Sequence, residues 1–283
     1  MRTLEVLAPE TLEEALALKA HHGTALLPLA GGTDVIPGIR RGAYGAVALL
    51  DLSRIPDLNR IVDDGTEIRI GALATHADVV ESAIVGAHIP VLSEACGTVG
   101  SVQIRSRGTI GGNLCHASPA SDSVPALRVL GSVCEIRSSK GTREIPVGDF
   151  CISPGVTRVL PADLLVGIRV PKMRPGSRWF YLKLGQRRAM AIAKVSVAFL
   201  AAEDGGVLSD VRISLGAVAP TVCGAPRTAA CLEGKKLGET VISEAVEMIQ
   251  TEAKPIADIR STEEYRREMV GVLLGRGLRG FLE

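Results

Sequence analysis

Two paired-glycine stretches set the strongest constraint on what this chain can fold into. One is Ala30-Gly31-Gly32-Thr33-Asp34. The other is Thr109-Ile110-Gly111-Gly112-Asn113, which continues through Leu114, Cys115 and His116 to Ala117-Ser118-Pro119-Ala120-Ser121-Asp122. Adjacent residues without a Cβ, beside hydroxyl, amide and carboxylate groups, suit places where the backbone itself touches a ligand. A pyrophosphate matches that description, because backbone N–H groups in a tight glycine turn meet its charge and acceptor oxygens. Neither stretch is G-x-G-x-x-G, and the second is expected to lead into Ala-Ser-Pro rather than to open a helix. No G-K-[ST] occurs in the right frame, so the Rossmann and Walker A fingerprints both fail. Taken singly, either glycine pair is weak evidence, Gly31-Gly32 reads first as a strand-ending turn, and spacing alone reaches no further than a phosphate-binding α+β protein.

At 283 residues the chain is long enough for two or three domains with their own cores. With 46% hydrophobic and 22% charged residues it has the balance of a globular protein rather than a disordered one. Aromatic residues make up only 3%, so the core must come from Val, Ile, Leu and Ala in sheet and helix layers. A net charge of +1 offers no global field to recruit nucleic acid or an anionic membrane. The N-terminal residues Met1 to Glu5 run at once into acidic residues and a helical pattern, with no signal-peptide core, and no apolar run approaches about 18 residues. A cytoplasmic, soluble protein without membrane insertion is expected.

The six cysteines stand at 96, 115, 134, 151, 223 and 231, form no C-x-x-C pair and match no zinc or iron–sulfur spacing. They read as small buried hydrophobes, with Cys115 set apart by its place beside the second glycine stretch. There is no G-x-S-x-G, no H-E-x-x-H and no activated cysteine, so no catalytic residue and no metal site is expected. If the chain takes part in chemistry, a cofactor should do the reacting.

Along the chain, Thr11-Leu12-Glu13-Glu14 is a capping box for a helix ending at Gly23. Thr24 to Ala30 then reads as a buried strand entering the first glycine loop, and Gly45 to Leu52 as a second strand. Ile55-Pro56-Asp57 marks a break. A hairpin spans Leu58–Val62 and Ile68–Leu73, Thr75 and Asp78 look like a helix N-terminus, and a helical stretch covers Val91 to Gly100. Ser123 to Leu130 is short and apolar, and Val133–Arg137 with Thr142–Val147 forms another hairpin. Leu164 to Val170 reads as a strand before a proline-punctuated boundary near 172–178. Strands at Phe180–Leu184, Ala191–Ala202 and Val207–Ala219 precede helices at Thr240–Ala253 and Thr262–Leu278, the latter opened by Ser261-Thr262-Glu263-Glu264. The expected units are 1–55, 56–174 and 175–283.

Among single residues, Asp34 and Asp122 could accept hydrogen bonds from a ribose or a ring N–H, or serve as turn and cap residues. Alternation places Lys183 on the face of Tyr181, either as a site residue or solvated. Arg105, Arg107, Arg187 and Arg188 read as solvated or partner-facing. His116 lacks further ligands for a metal, and His21-His22 are expected to meet terminal helix carbonyls.

Ala30 to Asp34, Gln103-Ile104-Arg105 and Thr109 to Asp122 together resemble the FAD-binding medium subunit of molybdenum hydroxylases, the family of the xanthine, carbon monoxide and nicotinate dehydrogenases. Leu160-Pro161-Ala162-Asp163-Leu164-Leu165, then Lys183, Arg188 and Ala193, and finally Asp258-Ile259-Arg260-Ser261 with Tyr265-Arg266 extend the resemblance over almost the whole chain. It implies an α+β fold: a two-subdomain FAD-binding domain of the vanillyl-alcohol oxidase-like type, then a C-terminal α+β domain of the CO dehydrogenase flavoprotein type. FAD would lie between the two N-terminal subdomains with both glycine loops on its pyrophosphate. The positions carried over are Pro28, Leu29, Ala30, Gly31, Gly32, Thr33, Asp34, Val35, Thr109, Ile110, Gly111, Gly112, Asn113, Asp122, Leu165 and Lys183. Val99 falls where the family can have an aromatic residue, which leaves that contact open.

The implied role is electron transfer from the [2Fe–2S] clusters of a small iron–sulfur subunit to an external acceptor. A large molybdopterin subunit would oxidise the substrate, in a dimer of heterotrimers. Two other readings stand beside it: a stand-alone FAD-dependent oxidoreductase, and a non-catalytic assembly or nucleotide-binding module of the same fold.

Overall fold

Thr11 accepts from the Glu14 N–H at 3.2 Å and opens the helix Leu12–His22, which Gly23 closes at φ +53°. The computed structural model describes residues 4–45, 48–187 and 189–283, so the expected features on Met1 to Thr3, Val47 and Arg188 lie outside the described residues. The Glu14 carboxylate turns back to the N–H of Glu10 rather than Thr11, at 3.0 Å, which completes the cap one residue earlier than the sequence pattern implies. The helix crosses between two strands of a three-stranded parallel sheet, in the order Glu5–Leu7, Ala48–Asp51, Leu26–Leu29. Ahead of the helix, Glu5–Leu7 forms a strand held by parallel pairing with Ala48–Leu50.

The second sheet has five antiparallel strands in the order Ile61–Asp63, Glu67–Gly71, Leu164–Pro171, Val133–Ser138, Gly141–Pro146. Both expected hairpins form its outer pairs. The last strand in sequence, Leu164–Pro171, lies at the centre, with a register shift between Leu165 and Gly167. Between Gly71 and Val133 the chain is helical. The Thr75 hydroxyl and Asp78 carboxylate form a complete capping box for His76–Glu81, and Ile68, Ile70, Leu92, Leu127 and Ile136 are fully buried between the sheet and these helices.

The third sheet runs Arg178–Leu184, Val195–Asp204, Val207–Gly216, Cys223–Gly224. Its long central strand is buried on both faces. Val195, Val197 and Phe199 pack on the helices Glu239–Glu252 and Glu263–Arg279, while Ala198 and Leu200 join the core of the second sheet. That double burial explains the unbroken apolar run in the sequence. Thr262, not Ser261, caps the final helix, accepting from the Tyr265 N–H at 3.2 Å.

Candidate cofactor cleft

A cleft of ≈ 460 Å³ runs between the first two sheets, within the usual range for cofactor sites. Strand Leu26–Leu29 ends at its wall, and the glycine loop that follows turns Ala30 to Val35 along it. Opposite lie Thr109, Gly111, Gly112 and Asn113, with Leu165 at the bulged end of the central strand. Of the sixteen positions carried over from the resemblance, the fold brings twelve to this wall: Pro28, Ala30 to Val35, Thr109, Gly111 to Asn113, and Leu165. Leu29 and Ile110 sit behind it, Ile110 fully buried in the core.

The two glycine pairs do different work. Gly31 lies against the Arg107 carbonyl, where an added Cβ would come within 1.7 Å of the oxygen. Its bareness is what lets the first loop touch the segment leading into the second. Among the described residues, the N–H groups of Gly31, Gly32, Thr33 and Asp34 have no protein acceptor. The second stretch opens the helix Ile110–His116, contrary to the expectation of a continuing loop. From Ile110 on, its N–H groups are already taken: Ile110 donates to Ala74 O, Gly111 to Ala72 O, Gly112 to Thr109 Oγ1 and Asn113 to Thr109 O. Gly111 is small because Ala72 is there, 2.6 Å from where its Cβ would be. Free donors for an anion thus come mainly from the first loop; in the second, among the described residues, the Thr109 N–H alone has no protein acceptor.

Asn113 contributes through its side chain. Its Oδ1 accepts from the hydroxyls of Ser121 and, at 2.8 Å, Ser123, which fixes the amide plane and leaves Nδ2 as a donor at the cleft wall. Ser121 leads to Asp122, which lies outside the wall. Lys183 donates to Asp122 at 2.6 Å and to Thr98 O at 2.9 Å, next to the wall residue Val99, and the Tyr181 hydroxyl donates to Asp122 at 3.1 Å. Lys183 and Tyr181 share a face, as alternation required, but neither is solvated. Burial pushes the Asp122 carboxyl up, against the pull of Lys183 and Tyr181.

Several wall residues carry no motif. His76 is 2% exposed; burial and then the Arg105 guanidinium hold it at about 4, and its Nδ1 has no partner. Arg105, read as solvated or partner-facing, donates to Val99 O at 3.1 Å. Cys115 is open to the cleft yet enclosed by protein, which pushes its thiol up to about 12. His116 faces Asp34 across 3.8 Å. Lys19, rather than either neighbouring histidine, bonds the terminal carbonyl of Gly23 at 2.8 Å. Adjacency to the glycine stretches marks Cys115 and His116 in the sequence; nothing local marks Lys19, Tyr44 or His76.

No group of three or more metal-binding side chains occurs among the described residues, and no helix is long and apolar enough to cross a membrane. The cleft fits FAD: an apolar trough, unpaired backbone donors at one glycine loop, an oriented amide opposite and no bulky side chain at either glycine pair.

Residues 2–173 match the family model described as the FAD binding domain in molybdopterin dehydrogenase, and residues 180–281 that of the CO dehydrogenase flavoprotein C-terminal domain. The chain is 31% identical over 272 residues to the carbon monoxide dehydrogenase medium chain of Hydrogenophaga pseudoflava, covering 96% of this chain and 94% of that one. It is 32% identical to the glyceraldehyde dehydrogenase medium chain of Sulfolobus acidocaldarius, covering 93% of each. The solved carbon monoxide dehydrogenase from Hydrogenophaga pseudoflava superposes with a TM-score of 0.95 at 30% identity, covering 98% of this chain and 96% of that one. Quinoline 2-oxidoreductase from Pseudomonas putida 86 gives 0.93 at 25% identity, covering 99% and 96%. With its cleft, its fold and both family models in agreement, the chain belongs to the FAD-binding subunits of the molybdopterin dehydrogenase family.

Proposed function

We propose that the chain is the electron-relaying subunit of a molybdenum hydroxylase. Bound FAD supplies the redox chemistry, between the [2Fe–2S] clusters of a small iron–sulfur subunit and an external acceptor. A large molybdopterin subunit oxidises the substrate, and the holoenzyme is a dimer of such heterotrimers in the cytoplasm. The reading rests on the row of N–H groups from Gly31 to Asp34 that have no protein acceptor among the described residues, in a loop lining a cleft that also meets an oriented amide.

Those four N–H groups bind the pyrophosphate, and Asn113 Nδ2 donates from the other side. Pro28, Ala30 and Val35, with Thr109, Gly111, Gly112 and Leu165, shape the trough; Leu29 and Ile110 brace it from behind. Asp122 and Lys183 place a carboxylate and an ammonium just beyond Val99, where they orient the flavin end. The same reading divides the chain into 1–55, 56–174 and 175–283, supported by one sheet of three or more strands centred in each. No side chain of this subunit acts as a catalytic acid, base or nucleophile.

The test is the purified chain alone. It is expected to be yellow with one FAD, or to take up one FAD after stripping, and its flavin is reduced by substrate only once the iron–sulfur and molybdenum subunits are added. A colourless protein that refuses FAD would indicate a non-catalytic module. Reduction by a substrate without the other subunits would indicate a stand-alone oxidoreductase.

A further inference from the structure

One end of the cleft is built differently from the rest. Leu27, Pro28, Leu52, Leu164 and Leu165 give it apolar walls, and two charged side chains, Lys19 and Asp163, enter it. Lys19 is 4% exposed and Asp163 5%, so both were taken out of water to stand there. Such burial is costly unless each charge finds partners.

Each is held in place with one valence left over. Lys19 Nζ donates to Gly23 O at 2.8 Å and to Leu26 O at 2.9 Å, which leaves one N–H of its three. Asp163 accepts the Arg143 guanidinium and, at 3.0 Å, the Leu160 N–H, both on Oδ2, which leaves Oδ1. Asp163 lies near enough to favour the Lys19 ammonium against the cost of its burial, yet the carboxylate's ion pair is with Arg143 and not with Lys19. A donor and an acceptor therefore stand apart at the wall of an apolar slot, fixed from behind by backbone carbonyls and an arginine.

We infer that Lys19 and Asp163 read the edge of the adenine ring of FAD. Adenine carries an exocyclic amino group next to an acceptor ring nitrogen on either exposed edge. The amino group donates to Asp163 Oδ1, the ring nitrogen accepts from Lys19 Nζ, and the leucines sandwich the ring. The pair thereby sets the preference for the dinucleotide over the mononucleotide. This rests on the FAD reading above and adds the residues that recognise the base.

The experiment titrates flavin-free protein with FAD, with FMN and with the hypoxanthine analogue of FAD, following flavin fluorescence. Deamination puts a carbonyl oxygen where the amino group faced Asp163. The wild-type protein is expected to bind the analogue about ten- to a hundredfold more weakly than FAD, a step that needs no variant to fold. Asp163→Asn and Lys19→Met are expected to weaken FAD by a similar factor and to leave FMN unchanged. Equal affinity for FAD and its hypoxanthine analogue, or an equal loss of FAD and FMN in Asp163→Asn, would overturn the assignment. Failure of the wild-type protein to bind any flavin would instead remove the FAD reading itself.

Discussion

Lys183 and Asp122 meet at 2.6 Å with each side chain only 9% exposed, joining the segment before helix Ser123–Val129 to the first strand of the third sheet. Removing the ammonium leaves a buried carboxylate with only the Tyr181 hydroxyl. Lys183→Met is expected to destabilise the protein by about 3–5 kcal/mol in denaturant unfolding. The double variant Asp122→Asn/Lys183→Met should recover part of that loss. A single-variant loss below about 1 kcal/mol would mean that water reaches the pair.

The glycines should differ in tolerance. Gly31→Ala drives a Cβ into the Arg107 carbonyl and should cost about 3 kcal/mol or more, with loss of flavin. Gly111→Ala meets Ala72 and should cost about 1–3 kcal/mol. Gly112→Ala meets only the Thr109 hydroxyl, and its better helix propensity, worth about 1 kcal/mol, offsets the contact. Thermal unfolding and flavin content of the three proteins, compared together, check the order.

His76 makes the flavin-free protein sensitive to acid. The unfolded chain protonates this side chain near 6.5, whereas the folded protein resists protonation until about 4. Stability is complete above pH 6.5, falls as pH drops through that window and levels off below it, a total of about 3 kcal/mol. The difference between the stability curves of wild type and His76→Phe should trace this fall. Parallel curves from pH 7 to 4 would place the acid sensitivity in other groups.

Cys115 is reachable but unreactive. With its thiol at about 12, fewer than about 1 in 10,000 molecules is ionised at pH 7.5. Iodoacetamide labelling, read by peptide mass spectrometry, should be slow without flavin and slower still with it. Cys115→Ser should retain flavin, and Cys115→Phe, which fills the cleft, should not. Rapid labelling, or full flavin retention by the Phe variant, would count against a cleft-facing thiol.

How much of this was legible in the sequence depends on whether the signal was local. The caps at Thr11 and Thr75 are local chemistry and were readable, as were the two hairpins. The helix Ile110–His116 is not, because two glycines in its first turn argue against a helix that the Thr109 cap and the bonds to Ala72 and Ala74 hold in place. Val35–Arg40 was missed for a similar reason, since it contains Pro37 and Gly38. At the cleft, the motif residues were readable and their division of labour was not. That Gly31 N–H is free while Gly111 N–H is spent depends on what another segment places opposite each. Lys19 and Asp163 are 144 positions apart in the chain, and no local pattern links them.

The central position of Leu164–Pro171 also sets a timetable. The strands on either side of it, Glu67–Gly71 and Val133–Ser138, leave the ribosome first and have no partner between them until residue 171 has been made. Leu165 and Asp163, at one end of the cleft, arrive on that same late strand and the turn before it. A growing chain can therefore display its first glycine loop long before it can enclose a nucleotide. Flavin capture waits until residues up to 171 of the 283, about three-fifths of the chain, have emerged.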